Sequence, residues 1–406
     1  MMRWIMVSLI MTTFVVKGEG FRMNSQGVKA SGMGGFAAAT SSDASVVYFN
    51  PAGVCRLEQS QLCASVSLVF PRISYLDPYD GNVDMDPSLS IPVNIYGVAK
   101  LKGKISAGIG IYTPFSENIS WDENWTGRYI TIENRFRSLY IQPVISYAVN
   151  DKFSIGGGPV IGWAGMKRKT AIDAGSTSSA FGIAEYKSAA TGFGYTAGIL
   201  AILNRFSIGI TYHSAIKLNM ENGKVTYSDI SNGAALLEGI PSESDFSTEL
   251  NSPASIDGGI NFSVNDKLDL SLNTSYTFWS ILESSDIEFT DHDNLNFTET
   301  FQYDDAFSFS GGGSYRYTDK MSVRAGVGFT KTHVPDGFVS PAHPDADQLI
   351  YSGGVTYKWN QSLKIDLSFM VRDYKSRQES GNMTYHFNGD YKSTLYIAGI
   401  GINYEF

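Results

Sequence analysis

The chain has 406 residues and a formal net charge of −9, with only 17% charged residues against 13% aromatics and 41 glycines. An acidic balance with no basic run excludes nucleic acid, whose affinity comes from Lys and Arg neutralising phosphates. The charged fraction is well under the roughly 25% of soluble globular domains. A mean hydropathy of −0.10 is too polar for helical membrane spans and too apolar for disorder. Membrane β-barrels fill that gap, because each strand alternates a lipid-facing with a lumen-facing residue.

The chain opens with Met1-Met2-Arg3, an apolar run from Trp4 to Val16, and then Lys17-Gly18-Glu19-Gly20. A positive start, a short apolar core and small residues after it predict a signal peptide over 1–20. The apolar run is too short for a spanning helix of about 20 residues. Residues 21–60 follow, rich in small residues and without strand alternation, yet carrying Phe21, Phe36, Val46, Val47, Tyr48, Phe49 and Leu57. Such residues want burial, so the segment reads as a plug folded inside a barrel rather than a floppy export linker.

From about residue 61 to 406 the sequence resolves into alternating runs. In Lys267–Phe278, Leu268, Leu270, Leu272, Thr274, Tyr276 and Phe278 share one face, and Asp269, Ser271, Asn273 and Ser275 the other. A period of two is the strand signature. Such runs occupy 62–76, 91–101, 104–113, 137–149, 152–166, 192–203, 205–220, 253–264, 267–283, 304–316, 320–333, 348–359, 363–377 and 391–406. Fourteen runs are separated by gaps that alternate long and short: 77–90, 114–136, 167–191, 221–252, 284–303, 334–347 and 378–390 are the long ones. Outer-membrane barrels have short periplasmic turns and longer external loops, which puts both ends of this barrel in the periplasm.

A soluble sandwich would need one solidly aliphatic face, and no repeat of about 40 residues suggests a propeller. Instead, aromatics sit near the strand ends, at Phe278 and Trp279, Tyr315 and Tyr317, Tyr357 and Trp359, and Tyr404 and Phe406. That is how girdles lie at membrane interfaces. The final Phe406, with Tyr404, Ile402 and Ile400 keeping the alternation, is the mark expected for the barrel-insertion machinery. The fold class is therefore an all-β, membrane-spanning antiparallel barrel of about fourteen strands with an N-terminal plug.

Catalytic and metal signals are weak. The five histidines (213, 292, 333, 343 and 386) are scattered and form no set with metal-ligand spacing. His333, His343, Asp345 and Asp347 share one external loop, where a weak cation site competes with a plain solvated loop. Gly156-Gly157-Gly158 and Gly311-Gly312-Gly313 lie inside strands with no helix after them. They favour bends or close plug contact over phosphate binding. Ser207 and His213 point inward on one strand without the partners a hydrolase needs. No cofactor and no enzyme activity are expected. Cys55 and Cys63, eight positions apart, suit either one small-loop disulfide in an oxidising periplasm or two buried thiols.

The hatch segment resembles that of the FadL family of outer-membrane transporters for long-chain fatty acids or hydrocarbons. The resemblance rests on Ser31-Gly32-Met33-Gly34, Ser42-Asp43-Ala44-Ser45 and, most specifically, Asn50-Pro51-Ala52-Gly53. It continues in Gly108 through Phe115, Trp125-Thr126-Gly127-Arg128, Tyr276 through Ser280 and Phe329 through Asp336. One departure is Thr248-Glu249-Leu250-Asn251-Ser252-Pro253, where the family has Thr-Leu-Pro. The resemblance implies a hatch gate at Asn50, Pro51, Ala52 and Gly53. It also implies a lateral opening at a kink in the third strand, matched by Gly108, Gly110 and Pro114, with Asn50 beside it.

Apolar side chains in the external loops, Phe115, Trp121 and Trp125 in one and Leu236 and Leu237 in another, are candidates for a ligand groove. Alternation turns Arg316, Arg324 and Arg372 into the lumen, either toward an acidic head group or into ion pairs with inward Asp257, Asp269 and Asp366. The expected function is passive uptake of a hydrophobic small molecule, which passes sideways into outer-membrane lipid from a monomeric barrel. The rivals are a non-selective porin and a structural or adhesive surface protein.

Overall fold

The computed structural model describes residues 22–23, 25–40, 42–77, 81–173, 181–230 and 241–406. The expected signal peptide, Phe21, Leu236 and Leu237 lie outside them. Fourteen antiparallel strands close into a barrel. They are β1 (Gln61–Asp77), β2 (Val93–Lys100), β3 (Ile105–Tyr112, resuming at Ser116–Ser120), β4 (Glu133–Ala148), β5 (Phe153–Asp173) and β6 (Phe181–Leu203). There follow β7 (Phe206–His213 and Ile216–Ser228), β8 (Glu243–Ser252 and Ser255–Asn265), β9 (Leu268–Thr277) and β10 (Ala306–Arg316). The last four are β11 (Met321–Thr330), β12 (Gln348–Lys358), β13 (Leu363–Tyr374) and β14 (Gly389–Glu405). Closure is made by β1 on β14, in continuous register from Gln61↔Glu405 to Leu76↔Asp390.

The alternation read from the sequence appears directly as exposure. On β9, Ser271, Asn273, Ser275 and Thr277 are buried, whereas Leu272 stands 67% exposed. Exposed leucine on a folded surface costs nothing when the solvent is hydrocarbon, so this band defines the lipid face. Tyr315, Tyr317, Tyr357, Trp359, Tyr404 and Phe406 are all exposed at the short-turn rim. Trp279 differs: it lies in a short 3-10 turn (Trp279–Ile281) and is fully buried. It packs under the outer loops on Phe115 and His333 instead of joining a girdle.

Several strands outrun their apolar runs. β5 and β6 pair continuously to Asp173↔Phe181, and β7 pairs β8 within the expected loop 221–252. Above the lipid band the outward positions become Lys167, Glu185 and Lys187, tied by ion pairs of Lys167 to Glu133 (2.7 Å) and Glu185 (3.3 Å). The ladder persists there, but the apolar alternation that marks a membrane strand has no reason to.

Residues 22–60 fill the lumen. Two short helices, α1 (Val28–Ser31) and α2 (Val46–Phe49), and a 3-10 turn (Pro51–Arg56) are almost wholly buried. The hatch is seated by main-chain contact with wall glycines. A Cβ on Gly209 would lie 1.9 Å from the Ala38 carbonyl oxygen, and one on Gly156 would lie 2.4 Å from that of Pro51. Ion pairs hold it as well: Lys29 reaches Asp43 (3.3 Å), both buried, near the wall pair Arg324–Asp366 (3.8 Å). Cys55 and Cys63 are free thiols.

Because the clash is with backbone, Gly209→Ala and Gly156→Ala should each unseat the hatch at a cost of about 1–3 kcal/mol. Gly97→Ala, whose added carbon would meet only Ile109 Cγ2 at 3.7 Å, should be neutral. Limited proteolysis of the N-terminal segment, with the folded barrel checked by heat-modifiable gel mobility, measures the difference.

Candidate functional site

The wall is interrupted at the third strand. The β2–β3 ladder runs from Lys100↔Ser106 to Ile95↔Ile111 and stops. Thr113-Pro114 then leave the ladder, and Phe115, whose carbonyl accepts from Ser138 N (3.1 Å), leads into Ser116–Ser120, which rejoins β4 at Ser116↔Arg137. Proline has no N–H to give a ladder, so Pro114 is suited to this break. Into the break comes the start of the hatch: Met23 N donates to Pro114 O (2.8 Å), Gln26 Nε2 to Thr113 O (3.3 Å), and Arg22 bridges Phe115. Gly108 and Gly110 do not take part in it. Both stay in ladder register with β4, and their missing side chains make room for Val47 of α2.

Asn50 is fully engaged, but elsewhere than the resemblance implied. Its Nδ2 donates to Ala38 O (2.8 Å) within the hatch and to Ile199 O (3.0 Å) of β6, while Oδ1 accepts from Ala52 N (3.1 Å). It therefore caps the Pro51–Arg56 turn and pins it to the wall at β6. The residue facing the third strand is Val47, whose carbonyl also accepts from Gln142 Nε2 (2.6 Å) of β4. The turn of α2 puts Val47 and Asn50 toward different strands. Pro51, Ala52 and Gly53 are buried in the same turn.

Beneath the break lies a charged cluster that sequence reasoning missed. Arg22 Nη2 reaches Asp257 Oδ2 (3.1 Å) and Nη1 donates to Ser275 Oγ (2.8 Å). His213 Nε2 lies 3.3 Å from the same Asp257 oxygen and its ring stacks on Tyr48, with centroids 5.1 Å apart. The inward Asp257 was the available signal, since a buried carboxylate requires a partner. Its partner comes from 235 residues away, which no local pattern reveals.

Among the described residues, three of the cavities descend through the lumen to the top of the hatch. The outer one is lined by Phe136, Met166, Phe246, Leu282 and Phe301, with the ion pair Arg168–Glu299 (2.6 Å) at its edge. The middle one holds Met23, Val69, Ile73, Leu395 and Arg372, and shares Glu117, Tyr303 and His343 with the outer. The lowest is lined by Arg22, Tyr48, Pro114, Phe115 and Tyr140, above the hatch.

Among the expected ligand residues, Phe115 lines the lowest cavity and Arg372 the middle one. Arg372 is buried, donates from Nε to Gln348 Oε1 (2.8 Å) and from Nη1 to Arg22 O (3.2 Å), and its Nη2 has no partner among the described residues. Arg324 is spent on Asp366. Arg316 ends β10 and is exposed at the short-turn rim, because the strand leaves the barrel there. Trp121 and Trp125 are buried and stacked on each other (4.5 Å), with Trp121 Nε1 donating to Pro341 O (3.1 Å). They hold the outer loops together and line none of the three cavities.

His333, His343, Asp345 and Asp347 do not converge. His333 pairs with Asp345 (3.1 Å), His343 with Glu117 (3.0 Å), and Asp347 accepts from Thr332 N (3.0 Å). The first and third brace the loop between β11 and β12 internally, and His343–Glu117 ties that loop to the outer part of β3. Burial alone would lower the His343 pKa, but the carboxylate of Glu117, helped by Glu299, outweighs it and raises the value above 6.5.

A closed barrel with an apolar, lipid-exposed exterior and a lumen filled by its own N-terminal segment is a plugged transport barrel of the outer membrane. The chain belongs to the family described as outer membrane protein transport protein (OMPP1/FadL/TodX), whose model matches residues 9–406. It is similar to the 47 kDa outer membrane protein of Pasteurella multocida, at 26% identity over 91% of this chain and 90% of that one. The long-chain fatty acid transport protein of Escherichia coli K12 is 24% identical over 95% and 94%. A FadL homologue of Pseudomonas aeruginosa has the same fold, with a TM-score of 0.86 and 19% identity over 96% of this chain and all of that one.

A raised histidine pKa contributes stability that is complete below the unfolded value of about 6.5 and is lost as pH rises through the folded value. The outer loop cap should therefore loosen as pH climbs above neutrality, and His343→Gln should remove that dependence. Trp121 fluorescence, sensitive to its seat on Pro341, reports the change. Asn50→Ala strands two buried carbonyls and one N–H, and should cost about 2–4 kcal/mol, read as a lower thermal midpoint.

Proposed function

We propose that this protein takes up hydrophobic small molecules passively, in the class of long-chain fatty acids or hydrocarbons, and passes them sideways through its wall. The observation that carries this reading is the break at Thr113-Pro114, stoppered by the first residues of the hatch. A plugged lumen does not suit a water-filled pore, and the apolar outer cavity suits a ligand that gains about 0.8 kcal/mol for each CH₂ removed from water. Arg372, with one free guanidinium nitrogen at the middle cavity, is the candidate contact for an acidic head group. The relative from E. coli, whose name is long-chain fatty acid transport protein, supports the same class.

The path runs from the outer cavity, past Glu117, Tyr303 and His343, to the middle one and then to the break, where Met23 and Arg22 must shift. We take residues 1–20 as a removed export signal, a single chain as the working unit and Phe406 as the mark for barrel insertion. The reading is transport and not catalysis.

Detergent-purified protein should bind radiolabelled oleate or toluene saturably, and binding of neither would sink the reading. Removal of residues 22–55 should abolish oleate uptake by cells and open a conductance to small polar solutes. A simple porin would keep its uptake.

A further inference from the structure

The wall is broken a second time, between β6 and β7. Their ladder runs from Leu203↔Phe206 to Thr196↔His213, continues through Ser214 N to Tyr195 O (2.9 Å) and Tyr195 N to Ser214 Oγ (2.8 Å), and then stops. It resumes only at Lys187↔Lys224. Among the described residues, no ladder pair joins 188–194 to 215–223. The cause is a step in the β7–β8 hairpin, which breaks on both strands at one level, Ser214-Ala215 and Pro253-Ala254, while keeping its own register on either side. The step carries β7 into the lumen behind β6. A Cβ on Gly192 would lie 2.2 Å from Lys217 O, and one on Gly194 would lie 2.6 Å from Ser214 Oγ, so the strands touch at these glycines and must part for anything to pass.

The open edge is joined to the first break through the ladder: a row of partners, Ile111↔Ile141, Ile141↔Ile161 and Ile161↔Phe193, runs from β3 to β6. Phe193 on that row is 74% exposed on the lipid face. By the alternation that turns Tyr195 to Ser214, the main-chain groups of Phe193 and Thr191 point to the missing partner. Hydrocarbon does not tolerate such groups unpaired, and irregular backbone at this depth is found where it lines a cavity.

A cavity is there. The lowest of the three is lined by Pro114, Tyr140, Val160, Tyr195, Ser214 and Ile216. It thus passes behind the panel β4–β5–β6 from one wall break to the other. Tyr195 lines it while remaining 55% exposed outside, which requires the wall to be thin at that residue.

We propose that the slot between β6 and β7 is a second lateral port, through which the hydrophobic ligand passes between the lowest cavity and the membrane. The proposal rests on the uptake reading above. In a Cys55→Ser, Cys63→Ser background, Gly194→Cys with Ser214→Cys places two Cβ atoms within about 4 Å, within reach of a disulfide. Formed at the inner mouth of the slot, it should lower whole-cell uptake of radiolabelled oleate by about twofold or more with the heat-modifiable gel mobility of the folded barrel unchanged, and dithiothreitol should reverse it. If the double variant does not fold, Ser214→Cys alone, modified after folding with a benzyl methanethiosulfonate, gives the same readout. Equal uptake by the oxidised and reduced forms, with the disulfide verified by mass, would overturn the second port and leave the transport reading standing. Failure of the unmodified protein to bind or take up oleate or toluene would overturn both.

Discussion

The structure depends on one constraint: inside hydrocarbon no water is available to satisfy a peptide N–H or C=O, so every backbone group must find its partner in the chain. The pairing of β1 with β14, over sixteen ladder positions from Gln61↔Glu405 to Leu76↔Asp390, meets that constraint by leaving no edge. With the ladder closed, the outward row is free to be Leu, Ile, Phe and Tyr. The inward row, which is screened from lipid, is free to be Ser, Asn, Thr and Gly.

Those small inward residues bring the hatch within reach of the wall. Where Gly156 and Gly209 leave the inner surface bare, main chain meets main chain, and Asn50 completes the contact with bonds to both hatch and β6. The lumen is then too full for a direct aqueous path. Any passage must use the places where the ladder is interrupted, and those breaks stand out because they violate the constraint that orders everything else. At Thr113-Pro114 the hatch supplies the missing hydrogen bonds. Between β6 and β7 the described residues make no ladder pair over 188–194, and a cavity lies behind.

Charge follows the same logic. Arg22, Asp257 and His213 in the lumen, and Arg168, Glu299 and Tyr385 under the outer loops, are buried groups with partners close at hand. Buried pairs of this kind add little net stability, yet removing one member is costly. Their effect is to select one placement of hatch and loops. Arg372, bonded to Gln348 and to the Arg22 carbonyl, lines the middle cavity, and its Nη2 has no partner among the described residues.

The sequence by itself determined the strand count, the inward and outward rows along the membrane-spanning strands, the girdle at the short-turn rim and the presence of a buried N-terminal segment. All of these follow from a period of two and from local composition, which a single strand carries within itself. The tertiary structure decided what depends on contacts between distant segments. Val47, not Asn50, faces the third strand; Trp279, Trp121 and Trp125 fold inward under the loops; and Arg316 ends at the rim. Arg22 finds Asp257 across 235 residues. The second wall break was equally hidden, since Ser214 reads as the interior of the run 205–220 and Pro253 as the start of 253–264 until their shared position in the hairpin shows it stepping inward. A lumen is enclosed only when the first and last strands meet, so what fills it and where it opens cannot be read from any one of them.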